Sequence, residues 1–311
     1  MSDKKNKCAL LIGIDYVGDK YELDGCINDV HNMQKLIKTF GFEDIKILKD
    51  RGNKNRATYP YSRTIITEID KMCDDRKNFH MFLHYAGHGV ISTDVNGDEK
   101  YKKDECIVPL DYSKGFITDD VLSLLIRDLH KSSRLDIVFD CCHSGAILDL
   151  PYNFKYINGK IKQKSVSNSS GNIFFKNREC GEIVVFSGCL DGQIAKEITW
   201  KNKEGACTGA MRRYLAMNKD ASLYDILYHV NKMLIKKGIR NQNITLSTNI
   251  RMTIEDLKKR KFFNDGYPVY QKPKNKLPVE PAEPKLKNNR QEYLKRHLHD
   301  KNPTLWKYYF E

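Results

Sequence analysis

Four apolar runs constrain this chain more than any other feature: CALLIGI (8–14), HMFLHY (80–85), LDIVFD (135–140) and EIVVFS (182–187). Each is too short for a helix and apolar at nearly every position, the pattern of a strand covered on both faces. A shorter strand is expected at Ile45–Leu48 and a last one around Ile244–Ser247. Between and after them, Cys26–Phe40, Ser62–Met72, Val121–Leu129, Gly209–Met217 and Leu223–Lys237 space their apolar residues as helices do. Short buried strands alternating with helices predict an α/β fold. Its mostly parallel central sheet has about six strands, with room for more, and helices on both faces. In such sheets the site lies at the carboxyl ends of the strands.

At 311 residues, 40% hydrophobic and 30% charged, the chain can build a real core and is not mostly disordered. No apolar run approaches the ~20 residues that span a bilayer. MSDKKNK leads straight into a strand rather than a signal peptide, so a cytoplasmic protein without a membrane partner is expected. A net charge of +13 raises the possibility of nucleic acid, but Lys and Arg are spread along the whole chain, which argues against it. Nine Cys without paired spacing read as free thiols. Five of the nine Pro lie between Pro268 and Pro284. The expected organisation is therefore a disordered 1–6, a globular unit over 7–263 and a Pro/Lys-rich tail over 264–311 that ends in LWKYYFE. Within the unit, 151–180 is polar and rich in Lys, Ser and Asn, and reads as an exposed loop with room for a hairpin. It separates 7–150 from 181–263.

Two of the strand ends carry chemistry. HMFLHY runs into Ala86-Gly87-His88-Gly89, and LDIVFD runs into Cys141-Cys142-His143-Ser144. A histidine flanked by glycines has little backbone cover, and a cysteine needs a neighbouring base to ionise near neutral pH. The histidine precedes the cysteine by 54 residues, close to the spacing of caspases. Gly-His-Gly alone would more often be a turn, and Cys142 alone a packed thiol. Together, on this fold and in this order, they point to a nucleophile and its base.

The segments ALLIGIDY, GCINDV, HYAGHG, CIVPLDY, FDCCHSG, SGCLDGQ and GACTGAM occur in order over roughly residues 7–260. In this the chain resembles the metacaspases, caspase-like cysteine peptidases that cleave after Arg or Lys. The short central loop is like that of type I members, but the Pro-rich N-terminal prodomain usual there is absent. The resemblance implies a caspase-like fold and a monomer acting on protein or peptide substrates. It makes His88 the general base and Cys142 the nucleophile, with the N–H groups of Gly89 and Cys142 as the oxyanion hole. No third member of a triad is identifiable. Cys141 and His84 take structural readings, and His143 shapes the turn.

A pocket for Arg or Lys needs fixed carboxylates, because a buried cation without a partner is prohibitively unstable. The resemblance places these at Asp29 and Asp140, with Cys26 and Ala86 lining the same pocket. Ala86 stands where the family often has Ser, so one polar contact is lost. The resemblance also implies activating Ca2+, held by Asp104, Asp119, Asp120 and Asp149. Asp119 and Asp120 would equally suit the first turn of a helix. DVNGDE (94–99) is not an EF-hand loop, since its Gly is misplaced and no Glu closes it. The adjacent Cys141, Cys142 and His143 lack the spacing of zinc ligands. Self-processing is expected within 152–180, at Lys155, Lys160, Lys162, Lys164, Lys176 or Arg178. The alternative function is a catalytically silent caspase-like scaffold or decoy, which this chain's retention of both His88 and Cys142 disfavours.

Overall fold

The computed structural model describes residues 6–52, 58–74, 76–77, 79–93, 103–142, 147–165, 175, 180–188, 197–199, 203–240 and 242–263. The tail from 264, together with His143, Lys176 and Arg178, lies outside the described residues. In chain order the strands and helices are β1 (Asn6–Gly13), α1 (Cys26–Lys38), β2 (Asp44–Lys49), α2 (Ser62–Cys73), β3 (Phe79–Ala86), β4 (Gly89–Thr93), β5 (Lys103–Ile107), β6 (Ile117–Thr118), α3 (Asp119–Ile126) and β7 (Arg134–Asp140). There follow β8 (Tyr152–Ile157), β9 (Lys160–Ser165), β10 (Glu182–Ser187), β11 (Glu197–Thr199), β12 (Lys203–Gly205), α4 (Ala206–Met217), α5 (Leu223–Lys236), β13 (Thr245–Thr248) and α6 (Ile254–Lys259).

The central sheet has eight strands in the order β2-β1-β3-β7-β10-β13-β8-β9. The first five run parallel, and β13, β8 and β9 complete it antiparallel. Six of these are the expected strands. The other two, β8 and β9, form the hairpin for which the 151–180 segment left room, and they add it to the central sheet. Its turn is Asn158-Gly159, with φ of 50° and 79°, the two-residue connection whose twist suits a hairpin. Phe154 and Ile161 from its two strands are buried in the core, which anchors an otherwise Lys-rich ribbon to the sheet.

Alternation along the strands divides the core into two layers. Leu10, Ile12, Met81, Leu83, Ile137 and Val185 face α2 and α3. Leu11, Phe82, Val138, Val184 and Phe186 face α1, α4 and α5. The second layer is closed by Phe262 and Phe263, whose rings pack on Phe82, Phe186 and Phe42. Burying such a ring contributes about 1.5–3 kcal/mol, which anchors the segment just beyond α6 to the sheet. At the amino ends of the strands, opposite the site, His80 and Arg134 each hold Asp136 at 2.7 Å, and Arg260 forks onto Glu182. The buried carboxylates of Asp136 and Glu182 are thus each matched by an arginine, as burial demands. Helix starts follow ordinary capping: Ser222 with Asp225 opens α5 and Thr253 with Asp256 opens α6.

Among the described residues no helix is long and apolar enough to cross a membrane. Among the described cysteines there is no disulfide.

Candidate active site

Parallel pairing sets the site. In the β3–β7 register Ala86 lies opposite Asp140. His88 and Cys142 each follow two residues later, so the candidate base and nucleophile leave adjacent strands at the same level. Their backbones come very close. A Cβ added to Gly89 would fall 2.1 Å from the carbonyl oxygen of Cys142 and 3.2 Å from Cys141 Sγ. Only glycine permits this approach, which sets side by side the two residues expected to form the oxyanion hole. Cys142 is partly exposed, whereas Cys141 is buried, in keeping with its structural reading.

His88 has a partner that residue types could not reveal. Its Nε2 lies 2.7 Å from the main-chain carbonyl of Tyr21. A carbonyl only accepts, so Nε2 carries a proton, and Nδ1 is the basic nitrogen of the neutral ring. The Tyr21 carbonyl thus orients the imidazole as the third member of a triad would. The loop that supplies it is tightly built. Asp50 accepts from the N–H groups of Asp15 and Val17, and Asp15 accepts from those of Cys26 and Ile27. Asp15 therefore caps α1 from a distance, since Gly25 has no side chain to do so. Arg51 Nε sits 2.9 Å from Asp15, yet burial still pushes the Asp15 carboxyl up to about 6.

The two pocket carboxylates converge. Asp29, on α1, and Asp140, at the end of β7, are both buried. Each is held by a backbone amide at the start of α4: Gly205 N–H donates to Asp29 Oδ2 at 2.8 Å, and Thr208 N–H donates to Asp140 Oδ2 at 2.7 Å. The first N–H groups of a helix have no intrahelical acceptor, and the helix dipole favours anions there. This arrangement stabilises two neighbouring negative charges that would otherwise repel. Gly205 is wedged between them, for a Cβ there would lie 2.3 Å from Asp140 Oδ2 and 2.9 Å from Asp29 Oδ2. Ala86 stands beside Asp140 in the sheet, and Cys26 is the buried first residue of α1. Two residues before Ala86, His84 is fully buried, with Nε2 3.0 Å from Thr208 Oγ1. Burial pulls its pKa down to about 3, so it is a neutral strut beneath the pocket.

The four candidate metal ligands are less compact. Asp104 on β5 and Asp119 at the start of α3 are buried. Both press on Cys106, whose thiol is raised to about 12, chiefly by burial with their charges adding to it. Asp119 also accepts from Asp120 N–H, within the first turn of the helix. Asp149 lies in a left-handed backbone conformation after β7, at φ 43°. Carboxylate oxygens are the donors calcium prefers. Among the described residues, however, no three His, Cys, Asp or Glu side chains are gathered closely enough to hold a metal. The four acids do not form a ready-made cage.

Residues 7–151 match the family model of the metacaspase peptidase C14 domain. Metacaspase-2 of Trypanosoma brucei brucei (strain 927/4 GUTat10.1) is 34% identical over 248 residues, covering 75% of this chain and 70% of that protein. Metacaspase-5 of Trypanosoma brucei brucei is 32% identical over 246 residues, covering 75% and 49%. Metacaspase-1 of Debaryomyces hansenii is 36% identical over 199 residues, covering 61% and 45%. The chain spans about half the length of these last two relatives. The solved structure of protein GSU0716 from Geobacter sulfurreducens shares the fold, with a TM-score of 0.58 at 20% identity over 82% of this chain and 97% of that one. With its fold, its paired strand ends and these relatives together, the chain belongs to the metacaspases, a family of caspase-like cysteine peptidases.

Proposed function

We propose that this protein is a cysteine endopeptidase that cuts protein or peptide chains after Arg or Lys. The observation that carries the reading is the level placement of His88 and Cys142 on adjacent strands, with Gly89 pressed on the Cys142 carbonyl and two buried carboxylates alongside. In the first step His88 takes the thiol proton, and the Cys142 thiolate attacks the scissile carbonyl carbon. The resulting oxyanion is met by backbone N–H groups of Gly89 and Cys142. The imidazolium then gives its proton to the leaving amine, and an acyl-enzyme thioester remains. His88 next deprotonates a water, which hydrolyses the thioester and returns the thiol. Asp29 and Asp140 supply the negative charge that a guanidinium or ammonium group requires on leaving water.

Calcium stimulation belongs to the same proposal, supported by the oxygen-donor chemistry of Asp104, Asp119, Asp120 and Asp149. No catalytic step runs through it. Self-processing is narrowed by the hairpin. Lys155, Lys160, Lys162 and Lys164 lie on paired strands, and entering a protease cleft would require the hairpin to unpair, so Lys176 and Arg178, which lie outside it, are the sites we favour.

Hydrolysis of matched fluorogenic peptides ending in Arg, Lys or Asp tests the reading, run with calcium or chelator on wild type and Cys142→Ala. Cleavage after Arg or Lys that disappears in the variant is expected, and thermal shifts with calcium test the metal separately. Cleavage after Asp would overturn the pocket. Silence on all peptides would favour a scaffold or decoy.

A further inference from the structure

The backbone of His88 is held in a closed ring of hydrogen bonds. His88 N–H donates to Tyr16 Oη at 3.0 Å, and Tyr16 O–H donates to the Val108 carbonyl at 2.7 Å. Val108 N–H donates to Tyr85 Oη at 3.2 Å, and Tyr85 O–H donates to the His88 carbonyl at 2.8 Å. These four bonds close the ring, and Tyr85 O–H also reaches the Val108 carbonyl at 3.1 Å. Cross-contacts brace it: the two phenol oxygens are 3.3 Å apart, and Val108 N–H also reaches the His88 carbonyl at 3.2 Å.

Packing alone does not require these hydroxyls. Both tyrosines are fully buried, and phenylalanine would fill the same volume without a polar group to satisfy. Tyr16 moreover holds φ 53°, a left-handed backbone that an aromatic residue adopts only when its surroundings demand it. Its ring then lies 4.8 Å from the His88 imidazole. Gly87 is shaped by the same assembly, since a Cβ there would come within 2.7 Å of Tyr85 Oη and 3.1 Å of Tyr16 Oη.

We propose that Tyr16 and Tyr85 are positioning residues that fix the aim of His88 through both ends of its backbone unit. The proposal rests on His88 being the base. The Tyr21 carbonyl holds one ring nitrogen, and the phenol ring holds the peptide from which the imidazole hangs. Together they leave it little freedom.

The test removes one oxygen at a time. Tyr16→Phe and Tyr85→Phe break the ring from opposite sides, so whichever variant folds better still reports on it. Tyr156→Phe, on β8, is the control phenol. Two readouts are used: kcat and KM on an Arg peptide, and the pH dependence of Cys142 alkylation by iodoacetamide, which needs no turnover. The expected result is a fall in kcat of roughly 10- to 100-fold, as for a catalytic group displaced by about 1 Å. KM stays within about twofold, and the alkylation profile moves toward that of an ordinary thiol. A lowered melting temperature with unchanged kcat and alkylation profile would show the ring to be merely structural and overturn the proposal. If the wild type cleaves nothing while the variants still shift the alkylation profile, the peptidase reading fails and the positioning role stands.

Discussion

The sharpest prediction concerns one methyl group. Gly205 has φ −60° and ψ 142°, a backbone conformation open to any residue, so Gly205→Ala introduces no backbone strain. The new Cβ would nevertheless lie 2.3 Å from Asp140 Oδ2, 2.8 Å from its Cγ and 2.9 Å from Asp29 Oδ2. Both carboxylates spring from rigid elements, β7 and α1, and one must turn aside. That breaks the bond from Gly205 N–H or the one from Thr208 N–H. A hydrogen bond to a charged group contributes about 1.5–3 kcal/mol, so binding of a basic side chain should weaken roughly 10- to 100-fold. The assay is kcat and KM on Arg and Lys peptides, alongside melting temperature and the alkylation rate of Cys142. The expected variant folds, alkylates normally and shows a raised KM. A folded variant with wild-type KM would refute the idea that these carboxylates receive the substrate cation.

Four further outcomes follow from the geometry. In Gly89→Ala the Cβ would overlap the Cys142 carbonyl at 2.1 Å, so kcat should fall by about 100-fold or more while KM changes little; retained activity would contradict the close approach. Asp15 binds its proton more tightly folded than unfolded, because burial raises it to about 6. Its contribution to stability is thus present at low pH and lost as pH rises from about 4 to about 6, by at most about 3 kcal/mol. Denaturant midpoints measured across that range should lose this component in Asp15→Asn, and identical slopes in the two proteins would count against it. Self-processing should be abolished by replacing Lys176 and Arg178 together and persist when Lys155, Lys160 and Lys162 are replaced, with fragment masses giving the answer. Light scattering should find a monomer, since β9 presents Lys160 and Lys162 along the sheet edge and so discourages strand pairing with a second copy.

The four strands that sequence reasoning read most plainly share one property: burial on both faces. β1, β3, β7 and β10 are continuous apolar runs for that reason, and the helices between them repeat at 3.6. The small sheet β4-β5-β6 has no such run, and β8–β9 is diluted by lysine, although Asn158-Gly159 was a readable turn signal. His88 and Cys142 were legible because reactive side chains at strand ends are unusual. Asp29 and Asp140 were reached only through family resemblance. The carbonyl of Tyr21 and the amides of Gly205 and Thr208 could not be reached at all, because every residue type offers the same main-chain groups. Tyr16 and Tyr85 were masked as ordinary aromatic core, their hydroxyl partners being set by tertiary packing.

The sheet order has a consequence for how the molecule comes into being. β8 and β9 occupy residues 152–165, yet the ribbon joins the sheet only through β13, at residues 245–248. During synthesis the hairpin therefore emerges without its neighbour, and its apolar residues Phe154 and Ile161 must wait for the last strand to be made. The parallel half of the sheet can assemble earlier, strand by strand. Folding of the rest is deferred, which makes closure of the sheet a late, long-range event. The same interleaving acts afterwards as a lock: a cut between 165 and 180 would leave the first piece of the chain clasped to the second through β8 and β13, so the two should separate only on denaturation.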